Sequence, residues 1–155
     1  MSKYISKRNK YSELINSIGN LLQQSRKNAF QAVNSILVKT YWEIGKYITV
    51  YEQESQNRAR YGSQLLDKIS ADLKKKYGKG FSRSNVIYMR LFYLKYPISQ
   101  ALPDQLSWTH FVELLCVSDD QARSFYEKEC IANRWSYREL DRQINSMLFE
   151  RLALG

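Results

Sequence analysis

Between Tyr11 and Tyr51 the apolar side chains fall three and four residues apart: Tyr11, Leu14, Ile15, Ile18 and Leu22, then Ala29, Val33, Leu37, Ile44, Ile48 and Tyr51. That is the period of one helical face, and it predicts one long helix or two consecutive ones. The polar run Ser25-Arg26-Lys27-Asn28 is where a break between two helices would fall. An apolar edge from Phe30 to Tyr51 is expected as a packing seam, either within its own domain or against a second copy. Polar residues from Glu52 to Tyr61 end the pattern.

The next run puts Leu65, Leu66, Ile69, Leu73 and Tyr77 on one face of a helix from about Ser63 to Lys76. Gly78 is placed to stop it as the left-handed residue, and the lysines of its last turn suit the negative end of the helix dipole. Ser82 is the expected N-cap of the following helix, with Phe81 and Val86 spaced as a hydrophobic staple. Val86, Met89, Phe92, Tyr93 and Tyr96 form its inner face, and Pro97 marks its end. Ile87, Leu91 and Leu94 make the opposite face apolar as well, so this helix is expected to be covered on both sides beyond its first turn.

Past the loop containing Pro103, three more helices are signalled by their starts: Ser107, then Ser118-Asp119-Asp120-Gln121, then Ser136-Tyr137-Arg138-Glu139. The last carries Leu140, Ile144, Met147, Leu148 and Leu152 as one helix. No stretch shows sustained alternation of period two. The expected fold is therefore all-α: one helical domain over residues 1–155, with a long N-terminal helix or helix pair, a helix-turn-helix unit at about 63–96 and C-terminal helices at about 107–153.

Composition sets bounds around that picture. A chain of 155 residues, 44% apolar and 25% charged, is about one ordinary globular domain with enough core to need no disulfides. Its most apolar helical stretch, around Ile36 to Tyr51, is interrupted by Lys39, Glu43 and Lys46, which argues against a membrane span. No signal-peptide pattern opens the chain, so the expected location is the cytoplasm. Cys116 and Cys130 are too few for a disulfide framework and are expected as buried free thiols; with His110 the single histidine, no zinc set exists and no cofactor or metal is expected.

Charge changes the picture more. The net charge is +9, but residues 1–96 hold 18 Lys or Arg against 6 Asp or Glu, while residues 97–155 hold 6 against 9. The densest segment, Gln56 to Tyr96, has 10 against 2. Such asymmetry points to a polyanionic partner for the first two thirds of the chain, nucleic acid being the commonest.

A helix, a glycine-bearing turn and a serine-capped second helix form the layout in which the first turn of the second helix meets DNA. Here that turn offers Ser82, Arg83, Ser84 and Asn85. Arginine can bond two acceptors on a guanine edge, asparagine can do so on adenine, and serines or free N–H groups at a helix start suit phosphate. Lys74, Lys75, Lys76 and Lys79 would contact the backbone, with Arg58 and Arg60 adding to the patch or reaching a minor groove. The plain reading, a polar solvated loop between two amphipathic helices, fits the same residues.

The runs "YGSQLLDKISADLKKKYGKGFSRSNVIYMRLFYLKYP", "QLSWTHFVELL" and "WSYRELDRQINSMLFERL" resemble the N-terminal domain of YhcG-type bacterial proteins, over about Tyr11 to Leu152. In that family a helix-turn-helix domain precedes a C-terminal nuclease domain of the PD-(D/E)xK class. The resemblance implies a double-stranded-DNA-binding or targeting module, non-catalytic by itself, whose catalytic partner domain lies past Gly155. A helical interaction or oligomerisation module with an incidental basic surface is the competing reading.

Catalytic patterns fail on their own terms. Pro103-Asp104 supplies the letters PD, yet no D-x-K or E-x-K follows, and Asp72-Leu73-Lys74 lies earlier, in an expected helix. Cys116 and His110 are six apart on an expected helix, which points them in different directions, so His110 is read as a capping or core residue. Gly78 and Gly80 match no phosphate-loop pattern. Twelve tyrosines raise the option of base stacking, with Tyr61, Tyr77 and Tyr88 nearest the basic patch, but most aromatic residues, including Trp42, Trp108 and Trp135, fall on expected core faces.

Overall fold

A computed structural model describes residues 2–55 and 58–155, and within them not the side chains of residues 2, 5, 58–61 and 63. The expected Tyr61 stacking ring, Arg58 and Arg60 lie among those undescribed side chains. Among the described residues all regular structure is helical. Helix α1 spans Ser2–Glu54, α2 Arg58–Tyr77, α3 Arg83–Lys95, α4 Trp108–Leu115, α5 Asp120–Asn133, α6 Tyr137–Asn145 and α7 Leu148–Leu154, with a single 3₁₀ turn at Ser99–Ala101. The chain divides into two units, residues 1–34 and residues 35–155.

The first unit is the N-terminal part of α1, and the polar run at Ser25 to Asn28 does not break the helix. Its apolar stripe is exposed: Tyr11, Leu14, Ile15, Ile18, Leu22 and Val33 all face solvent.

In the second unit the rest of α1 packs through a face offset from the expected one. Val38, Trp42, Gly45 and Ile48 are buried, whereas Leu37 and Tyr51, placed on the seam by periodicity, are exposed. The offset follows from a glycine and a hydroxyl. A Cβ on Gly45 would collide with the carbonyl of Met89, so α1 and α3 touch backbone to backbone there. Thr49 joins the buried face because its hydroxyl donates to the carbonyl of Gly45, 2.9 Å away. Trp42 closes the contact by donating its indole N–H to the carbonyl of Tyr96, at 2.6 Å.

Helix α3 is the centre of this unit. Val86, Met89 and Phe92 are fully buried, each contributing about 1.5–3 kcal/mol by leaving water. Ile87 and Leu91 on its other face are half-buried, while Leu94 is exposed, so cover on the second side is partial. Phe92 stacks edge-on or tilted against Tyr96, Trp108 and Phe111, and the core continues through Leu114, Tyr126, Cys130 and Leu140. Arg90 reaches back from α3 to grip Glu52 of α1 with both forks, at 2.6 and 3.0 Å.

The C-terminal helices depart from expectation in three places. Ser118 is not the cap of α5; Asp119 accepts from the N–H of Ala122 instead, a carboxylate being the better acceptor at the positive helix end. The expected last helix is two, because Met147 adopts a left-handed backbone, φ 59°, between α6 and α7. The hydroxyl of Tyr126 then holds α7 by accepting from the N–H of Phe149 and donating to Glu150. Finally, Cys116 is exposed at the end of α4, whereas Cys130 is buried as expected and its thiol is pushed up to about 11 by that burial.

Candidate nucleic-acid interface

Two glycines shape the turn between α2 and α3. Gly78 and Gly80 both have positive φ, 87° and 106°, and nothing crowds either. The N–H of Gly78 closes onto the carbonyl of Lys74 at 2.9 Å, which ends α2 where its lysines stand. At its other end α2 contains Gly62 in a non-helical conformation, so its regular run starts at residue 63.

Ser82 caps α3, accepting from the N–H of Asn85 at 3.1 Å. That leaves the N–H groups of Arg83 and Ser84 in the first turn, on a helix start where Ser82, Arg83 and Ser84 are all exposed. The turn is pinned from behind by Ser70 of α2, whose buried hydroxyl donates to the carbonyl of Phe81 at 2.6 Å. Ser70 escaped the apolar-face reading because its role is a single hydrogen bond, which leaves no periodic signal.

Lys74, Lys75, Lys76 and Lys79 are exposed, and among the described residues none has a carboxylate within ion-pair reach. The Lys76 ammonium lies over the ring of Tyr77, 5.5 Å from its centroid. Three other cations of the basic segment have carboxylate partners: Arg90 pairs with Glu52, Lys95 lies 3.6 Å from Asp120, and Arg83 pairs with Asp67. The Arg83–Asp67 pair has side chains 58% and 52% exposed, so it is worth at most about 1 kcal/mol and a phosphate can displace it.

Asn85 stands differently. Its amide N–H donates to the carbonyl of Gly80, and its oxygen accepts from the indole N–H of Trp108 at 2.8 Å. Both ends of the amide are used inside the protein, tying the turn and α3 to α4. The amide expected to meet an adenine edge is thus hydrogen-bonded at both ends within the protein.

Of the capping and core roles open to His110, the structure shows the capping one. Its Nε2 sits 2.8 Å from the carbonyl of Trp135, which can only accept, so Nε2 carries the proton. Nδ1 is then the acceptor for the backbone N–H and hydroxyl of Ser107, at 3.2 and 2.7 Å. The capping box at the start of α4 is closed by a histidine where glutamate or glutamine is usual. Glu113 faces Asp141, and burial together with that carboxylate raises its pKa.

Among the described residues no group of three or more His, Cys, Asp or Glu comes together to hold a metal. No helix there is long and apolar enough to cross a membrane. The surface that is assembled presents ammonium groups and helix-start N–H donors around a hydrogen-bonded turn.

The chain is 34% identical, over a 177-residue alignment covering 94% of it, to the Escherichia coli (strain K12) protein called "Putative nuclease YhcG". It spans about half of that relative, 47% of its length. No solved structure matches. The family model described as the DUF1016 N-terminal domain matches residues 17–151, and the chain belongs to that family.

Proposed function

We propose that the chain is a DNA-targeting module that acts in the cytoplasm and is non-catalytic by itself. It binds double-stranded DNA on behalf of a PD-(D/E)xK-type nuclease domain carried by the remaining half of the full-length relative. The observation that carries this reading is the exposed, unpaired cluster Lys74, Lys75, Lys76 and Lys79, set beside the open N-terminus of α3. A solubilising surface would mix signs, whereas a run of unpaired ammonium groups next to helix N–H donors is what phosphate oxygens select.

The residues divide by task. The four lysines contact phosphates without regard to sequence, and Ser82 and Ser84 add hydroxyl and N–H donors at the helix start. Arg83 exchanges Asp67 for a phosphate or a guanine edge. Asn85 holds the turn at its angle to α4, and Arg58 and Arg60 add two cations at the start of α2. A lysine cluster beside the open start of α3 suits a duplex better than a single strand, for which Tyr77 is the one exposed ring among the described residues of the cluster.

Equilibrium titration of a fluorescent duplex tests the proposal. The parent chain is expected to bind at low salt, and the Lys74→Glu, Lys75→Glu, Lys76→Glu variant to lose binding with unchanged helical circular dichroism. Equal binding by the variant would remove this surface from the function.

A further inference from the structure

We propose that residues 11–33 of α1 pair antiparallel with the same residues of a second copy of the chain. This inference is independent of the DNA reading and stands on the first unit alone.

The stripe is too large to be incidental. Tyr11, Leu14, Ile15, Ile18, Leu21, Leu22 and Val33 are each between 46% and 68% exposed on one side of a continuous helix. At about 100 Å² of open surface for each, they expose roughly 700 Å² of side chain. A typical monomer shows apolar patches of a few hundred Å², and two such faces together bury roughly 1,400 Å², within the range of stable dimers.

Charge and size say what covers it. At about 100° per residue, Glu13 and Lys27 point to the back of the stripe and Arg26 to its edge. The face is therefore uncharged: it does not repel a copy of itself, and it has nothing with which to select an acidic partner. Lys3, Lys7, Arg8 and Lys10 crowd the turns just before it, so a parallel pair would set four positive charges beside four more. An antiparallel pair carries them to opposite ends.

Side-chain volume gives the register. The first half of the stripe is mostly large, with Tyr11, Leu14, Ile18 and Leu21; past Leu22 it holds Ser25, Ala29 and Ala32, all exposed, before Val33. Centred between Leu21 and Leu22, an antiparallel pair sets Tyr11 opposite Ala32, Leu14 opposite Ala29 and Ile18 opposite Ser25. These three bulky residues each meet a small one, while Leu21 and Leu22 pack against their counterparts at the centre. A parallel pair would set large against large and small against small, leaving gaps along half its length.

The test uses the full chain with Cys116→Ser to remove the exposed thiol. Light scattering at about 10 μM should give the mass of a dimer, and Ile18→Glu should weaken the association by at least about a hundredfold with helical content preserved. Separately tagged Leu14→Cys and Ala29→Cys chains, mixed and oxidised, should cross-link only to each other. In this register two copies of residue 14 lie about 22 Å apart, beyond disulfide reach. A monomeric mass, self-cross-linking of Leu14→Cys, or a dimer indifferent to Ile18→Glu would each overturn the proposal.

Discussion

Single polar atoms decide how this domain holds its shape. Ser82 satisfies one N–H at the start of α3, so Ser82→Ala should cost about 1 kcal/mol in denaturant unfolding. Asn85 is worth more, because its removal strands two partners at once. Asn85→Ala leaves the half-buried indole N–H of Trp108 without an acceptor and should cost about 1–3 kcal/mol, and more than Ser82→Ala in the same assay. Glu127 supplies a pH dependence. One of its carboxylate oxygens is buried without a hydrogen-bond partner, and burial raises its pKa, outweighing the opposing pull of Tyr96, Lys128 and Arg123. A raised carboxyl pKa means that its contribution to stability is complete below the unfolded value of about 4.3 and is lost as pH rises through the folded value. Glu127→Gln should therefore melt higher than the parent at pH 8, with the gap closing by pH 4. A constant gap across that range would assign the effect to packing.

Among elements, the closeness of α1 and α3 at Gly45 is the most demanding contact. Gly45→Ala drives a methyl group into the Met89 carbonyl, so it should destabilise by about 1–3 kcal/mol although alanine favours helix in isolation. A rise in melting temperature would show that the helices can part at no cost. This contact also marks the limit of what periodicity can reveal. The caps at Ser82, Ser107 and Ser136, the glycine stop at Gly78 and the buried face Val86, Met89 and Phe92 were all legible, because each follows from local hydrogen bonding or a period of 3.6. The buried face of α1 was not, since Gly45 and Thr49 count as neutral in any apolar tally and bury themselves only because α3 comes so near. The break at Met147 was hidden for a related reason: Tyr126, far away in sequence, holds the second piece in place. Within the candidate interface the lysines could be read as charge, but the Arg83–Asp67 pair and the Asn85–Trp108 bond join residues 16 and 23 positions apart, a distance no local pattern spans.

At the scale of the whole molecule, the charge asymmetry of the sequence becomes a surface only because carboxylates neutralise part of it selectively. Asp67, Glu52 and Asp120 take up Arg83, Arg90 and Lys95, while Lys74, Lys75, Lys76 and Lys79 at the turn after α2 have no carboxylate within ion-pair reach among the described residues. Four phosphate contacts there should give a plot of log affinity against log salt with a slope of about −4. The most direct measurement is that slope for duplex DNA, compared between the parent chain and the variant with Lys74, Lys75 and Lys76 all replaced by alanine. A steep parent slope that flattens by about 3 in the variant is the predicted result; equal slopes, or no binding by the parent even at low salt, would contradict it.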